Sequence, residues 1–164
     1  MANVFEPEFD SDQERPGFTY RRARLGRQAE AKRLGASLYE IPPQQATFPY
    51  HAHLGNEEML IVLSGQPSLR TPEGWRELSE GEVVAFPVGE GGAHQIANHA
   101  DQAARVLVVS EMNAPEVNLY PDEGKVGALE RPPGAAGEGG QWFFRRAKSD
   151  VDYWEGVEPP KRPA

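Results

Sequence analysis

The sequence predicts an all-β protein whose strands form a barrel or sandwich, with extensions at both ends. Three observations carry that expectation. Apolar runs are short and recur at intervals of roughly 10 to 20 residues. No stretch of the 164-residue chain shows a long helical period. Gly (17) and Pro (15) together make up about a fifth of the chain, which favours many turns over long elements.

Residues 1–17 read as an acidic and polar N-terminal arm. Phe18–Leu25 mixes aromatic and basic residues and reads as an edge strand. Leu34–Ile41 reads as a strand stopped by Pro42-Pro43, which cannot donate to a ladder. Met59–Leu63 is apolar throughout, with Gly65 behind it. Ser68–Thr71 and Trp75–Leu78 flank Pro72-Glu73-Gly74, a hairpin turn by composition. Val83–Phe86 is a further run, closed by Pro87. Arg105–Ser110 carries Val106, Leu107, Val108 and Val109 in series and is the strongest strand signal. The barrel is therefore expected over residues 18–131. Residues 132–140 are rich in Gly and Pro and read as a linker. Residues 141–164, aromatic between Trp142 and Trp154, read as a C-terminal segment that packs back on the barrel.

Seventeen Lys and Arg against 25 Asp and Glu leave a net charge of −8. That balance argues against nucleic acid and anionic membrane as partners. No apolar run approaches the ~18 residues of a membrane span. The acidic N-terminus lacks the apolar core of a secretory signal, so a cytoplasmic protein is expected. Cysteine is absent, which excludes disulfides, thiolate metal sites and cysteine nucleophiles together. Any metal must use imidazole and carboxylate.

The four histidines are His51, His53, His94 and His99. On a strand, His51 and His53 point to one face, where two imidazoles can hold one metal. Glu58 stands five residues on, an odd offset that would reverse its face on a continuous strand. Leu54-Gly55-Asn56 supplies a turn that resets it. His94 follows the Gly-rich loop Gly89-Glu90-Gly91-Gly92. His99 reads as a turn residue facing solvent, and Glu57 as solvent-facing. Arg21-Arg22-Ala23-Arg24 reads as a solvated charged face, with anion binding as the alternative.

His51-Ala52-His53-Leu54-Gly55-Asn56-Glu57-Glu58, followed after six residues by Gly65, resembles the first motif of the cupin superfamily. Gly81, five residues, Pro87-Val88-Gly89, then His94 and Asn98 resembles the second. Fifteen residues, Gln66 to Glu80, separate the two motifs, as in compact bacterial cupins. The resemblance spans Leu34 to Ser110. It departs from the family in Gln45, where Gly usually opens the first motif, and in a loop of four residues, Glu90 to Ala93, where two are usual. It implies a small antiparallel jelly-roll barrel with a metal inside. It further implies that His51, His53, Glu58 and His94 are the ligands of one divalent transition metal: Mn, Fe, Ni, Co or Zn. Gly89–Asn98 and Tyr120–Lys125 are similar to a bacterial cupin subgroup, some members of which are labelled sugar-phosphate isomerases.

Three imidazoles and one carboxylate around a divalent ion leave a charge of +1, which favours a small, oxygen-rich, anionic ligand. Arg70 or Lys125 is expected to supply further positive charge. Glu111, Tyr120, Asp122 and Lys125 are candidate acid–base groups by residue type. Three functions remain open: a metal-dependent isomerase of the sugar-phosphate kind, a non-haem iron dioxygenase, or a cupin that binds a small molecule without catalysis. A homodimer is expected, because Phe18–Leu25 and Trp142–Trp154 can cover sheet edges between copies.

Overall fold

The computed structural model describes residues 2–133, 139–146, 150–152 and 155. The middle of the expected linker, 134–138, and much of the expected C-terminal segment beyond Arg146, Trp154 included, lie outside the described residues.

The strands are β1 (Ser11–Gln13), β2 (Tyr20–Ala23), β3 (Leu34–Ile41), β4 (Gln45–Ala46), β5 (Ala52–His53), β6 (Glu58–Ser64) and β7 (Ser68–Thr71). They continue as β8 (Gly74–Glu77), β9 (Val83–Phe86), β10 (Gln95–Asn98), β11 (Ala104–Glu111), β12 (Glu116–Tyr120), β13 (Lys125–Leu129) and β14 (Gln141–Arg145). One short helix, α1 (Leu25–Gln28), and one 3-10 turn (Glu90–Gly92) complete the described elements. Every ladder between strands is antiparallel. Three sheets result, in the orders β1-β2-β3-β11-β6-β9, β4-β10-β7-β8 and β14-β13-β12-β5. Phe18–Leu25 is not the edge strand its composition suggests. Ser11–Gln13 lies outside it, paired Ser11 to Arg22 and Gln13 to Tyr20, and Asp10 holds Arg24 at 2.8 Å.

The core explains the hydrophobic pattern. Leu60, Val62, Val106, Tyr39 and Ile41 of the first sheet meet Leu69 and Ile96 of the second. The opposite face of the first sheet is also covered: Leu38, Leu63 and Leu107 lie under Leu25 of α1 and under Val4 and Phe9 of the N-terminal residues. Strands β6 and β11 are therefore apolar on both faces, and alternation alone cannot say which face is inside. Gly65, at φ 81°, ends β6; a Cβ there would come within 2.9 Å of the Ala103 carbonyl and the Ala104 Cα.

Candidate metal centre

Backbone pairing brings the histidines together. His51 and His94 form an antiparallel bridge, His51 N–H to His94 O at 3.1 Å and His94 N–H to His51 O at 2.8 Å. Their rings lie 4.7 Å apart. His53 follows on β5, held from one side by the Asn118 register and from the other by Gly89 N–H on its carbonyl at 2.7 Å. The four-residue loop before His94 is absorbed by the 3-10 turn. Only glycine fits position 92, because a Cβ there would run into the Pro87 carbonyl. On β6, Glu58, Leu60 and Val62 are buried while Met59 is exposed and Ile61 half-buried, so Glu58 faces inward; Glu57 is exposed.

One donor atom from each of His51, His53, Glu58 and His94 lies within 4.8 Å of the other three. Glu58 Oε2 is 3.4 Å from His53 Nε2 and 3.3 Å from His94 Nε2. These separations are long for hydrogen bonds. Metal bonds of about 2.1 Å would put neighbouring donors about 3.0–3.4 Å apart, the separation of these two pairs. The tautomers fit too. His51 Nδ1 donates to Pro49 O and His94 Nδ1 to Gly92 O, each at 2.9 Å, since a carbonyl can only accept. In the neutral form both rings then carry their lone pair on Nε2. Neither buried ring nitrogen of His53 makes a hydrogen bond of good geometry, which leaves it able to ligate. Phe86 stacks on His94 with centroids 3.8 Å apart and fixes that ring.

The electrostatics follow from burial and charge. Burial, reinforced by His94 and His53, pushes His51 down to about 3, so it stays neutral. Burial alone would depress His53 as well, but without a metal Glu116 and Glu58 on either side lift it to about 9, so a cation taken up there displaces the His53 proton. Burial opposes ionisation of Glu58, yet His53 and His94 hold it well below the usual carboxylate range.

Two groups at the site carry no recognisable sequence motif. Glu116 is fully buried behind the site, its Oε1 3.5 Å from His53 Nδ1 and accepting from Leu54 N–H at 3.3 Å. Its Oε2 accepts from Asn56 Nδ2. The signal available was the alternation Glu116, Asn118, Tyr120, polar groups on one face of a strand. The second group is Arg22. It is 9% exposed and lines the cavity, not a solvated face, and its Nε and Nη2 donate to Ser37 Oγ at 3.2 and 3.0 Å. Arg21, its neighbour, does face outward toward Glu40 and Asp12.

The four donors line a partly open cavity of about 180 Å³ together with Tyr120, Asn118, Ser37, Ser110 and apolar side chains such as Ile96 and Val108. Of the acid–base candidates only Tyr120 lines it. Glu111 is exposed at the end of β11 and accepts from Glu57 N–H at 3.1 Å. Lys125 lies outside, its ammonium 4.9 Å from the Tyr120 ring, in a separate groove with Leu119 and Arg146. Arg70 is not a cavity cation either: it forms a two-pronged pair with Asp122 at 2.6 and 2.9 Å. His99 is exposed, and its Nδ1 lies 2.9 Å from Ser68 Oγ.

The cupin domain family model matches residues 37–110. No curated protein matches the sequence. Among solved structures, a candidate sugar phosphate isomerase from Acidithiobacillus ferrooxidans is 26% identical, with a TM-score of 0.73 over 85% of this chain and 86% of that one. A cupin-superfamily sugar phosphate isomerase from Silicibacter pomeroyi is similar in fold, at 23% identity and a TM-score of 0.75 over 93% and 97% of the two chains. The polyketide cyclase RemF from Streptomyces resistomycificus shares the fold at 24% identity and a TM-score of 0.56, over 68% of this chain and 78% of its own. Among the described residues no helix is long and apolar enough to cross a membrane.

Proposed function

We propose that this chain, which belongs to the cupin superfamily through residues 37–110, holds one divalent transition metal on His51, His53, Glu58 and His94. We take its role to be that of an isomerase of a small anionic sugar phosphate. The observation that carries the reading is the convergence of three imidazoles and one carboxylate on the wall of one cavity. The likeness to the Acidithiobacillus structure supports the substrate class. A bound divalent ion supplies Lewis acidity toward a substrate oxygen beside it.

The remaining work falls to the chain. Burial raises the Tyr120 hydroxyl above its ordinary value, so at neutral pH it keeps its proton. It is then a hydrogen-bond donor to a substrate oxygen, and not a base. Asn118, Ser37 and Ser110 supply neutral polar contacts that orient hydroxyl groups.

The test is incubation of metal-loaded protein with five- and six-carbon aldose phosphates in D2O, followed by NMR. Ketose formation with deuterium at C1 is expected. Dioxygen uptake by the iron-loaded protein without isomerisation would transfer the reading to a dioxygenase. Unaltered substrate with metal in place would leave a binding cupin. A second copy of the chain is the proposed protein partner, since Trp142, Phe143 and Phe144 stand exposed on the edge strand β14. Light scattering at the mass of a single 18.1 kDa chain would refute that.

A further inference from the structure

We propose that the groove formed by Arg22, Arg24, Arg27 and Lys32 receives the phosphate monoester end of the ligand whose hydroxyl and carbonyl end enters the histidine-lined cavity. The inference rests on the function proposed above for the head of the ligand, and adds where its charged tail lies.

Space comes first. The cavity of about 180 Å³ falls below the ~300 Å³ at which ligand pockets usually begin, and equals about six water volumes. It takes the reacting end of a sugar phosphate but not the whole molecule. A groove of about 430 Å³ adjoins it, and Arg22, Gly35, Ser37, Met112 and Pro133 line both spaces. Of the two other neighbouring grooves, one shares only Met112 with the cavity and sets Glu111 against Arg33, and one shares only Tyr120, where Glu90 lies 3.6 Å from Arg146. A tail leaving the cavity past Arg22 therefore enters basic ground.

Charge comes second. Four cations line the first groove against one acid, Glu30, in a chain whose net charge is −8. Asp10 offsets Arg24 at 2.8 Å. Among the described residues no carboxylate lies within ion-pair distance of Arg27 or Lys32, and both are exposed. Arg22 stands at the divide. Ser37 fixes its guanidinium through two hydrogen bonds, and the group lies 5.6 Å from the Tyr39 ring centre. A fixed planar donor beside flexible cations suits a dianionic phosphate better than a single carboxylate.

The test uses the full chain and calorimetric titration with ribose 5-phosphate and ribose, each with and without Mn(II). The ratio of the two affinities reads the groove. The factor by which Mn(II) raises both together reads the metal site. Wild type should bind ribose 5-phosphate at least about tenfold tighter than ribose, with or without metal. Arg27→Gln/Lys32→Gln, on exposed positions, should cut that ratio severalfold and leave the Mn(II) factor intact. Arg22→Lys should cut it too, if the variant folds. A ratio near one in wild type, or a ratio unmoved in the double variant, overturns the groove. Loss of the Mn(II) factor alone overturns the metal reading and leaves the groove standing. Acetate competing with ribose 5-phosphate as well as inorganic phosphate does would overturn the phosphate assignment.

Discussion

Replacing Glu116 with Gln tests whether the carboxylate behind His53 serves the metal centre. The side chain is fully buried and uses both oxygens as acceptors, Oε1 toward Leu54 N–H and Oε2 toward Asn56 Nδ2, while Oε1 also lies 3.5 Å from His53 Nδ1. Glutamine keeps one acceptor and turns the other into a donor. If its NH2 faces Asn56, two donors collide; flipping Asn56 would break the bond from Asn113 N–H to Asn56 Oδ1 at 2.7 Å. If its NH2 faces His53, Leu54 N–H loses its partner. Either way one buried group goes unsatisfied, which costs ~1–3 kcal/mol of stability. The charge that orients His53 is lost as well, and outer-sphere losses of this kind lower metal affinity ~10–100-fold. Competition against a chelator of known affinity, at pH 7.5, measures the second effect, and urea unfolding of the metal-free protein the first. Lower stability with unchanged metal affinity would refute the role assigned to Glu116 and leave it a structural residue only.

Three further outcomes are expected. Glu58→Gln should lose metal on dialysis against a mild chelator, whereas Glu57→Gln, on an exposed position, should retain it; the reverse pattern would show the wrong carboxylate was chosen. Leu69→Ala, at a fully buried position between the sheets, should lower unfolding free energy by ~2–5 kcal/mol in urea, while Met59→Ala on the exposed face should cost far less. Burial pushes the Tyr39 hydroxyl up to about 12 from 10.0. A folded value above the unfolded one gives stability that is present below pH 10 and lost as pH rises through 12, an effect of ~2–3 kcal/mol. Tyr39→Phe should flatten that alkaline loss, and an unchanged profile would count against it.

What was legible in the sequence was whatever local spacing controls. Leu34–Ile41 and Val83–Phe86 are strands with the limits their flanking prolines suggested. His51, His53, Glu58 and His94 meet in space as the two motifs implied, although Glu90–Ala93 is longer than the family pattern. Long-range packing was not legible. Alternation alone could not choose the inward face of β6, because Val4, Phe9 and Leu25 cover the side it would assign to solvent; the six-residue spacing from Glu58 to Gly65 chose it. Arg22 looked like one more charge in a surface run; its burial depends on Ser37, fifteen residues away on the neighbouring strand β3. Glu116 lies 58 residues beyond Glu58 and reaches His53 only because β12 pairs with β5. The hairpin of β12 and β13, turned at Pro121–Gly124, was hidden by its polar inward residues.

The most direct test of the central claim is the metal content and ligand sphere of the untagged protein, by elemental analysis and X-ray absorption. The account predicts one divalent transition ion per chain, bound by about three imidazole nitrogens with carboxylate oxygen, and lost in His51→Ala and His94→Ala variants that remain folded. Protein that binds no ion under metal-replete conditions, or binds one with no imidazole in its sphere, would contradict it.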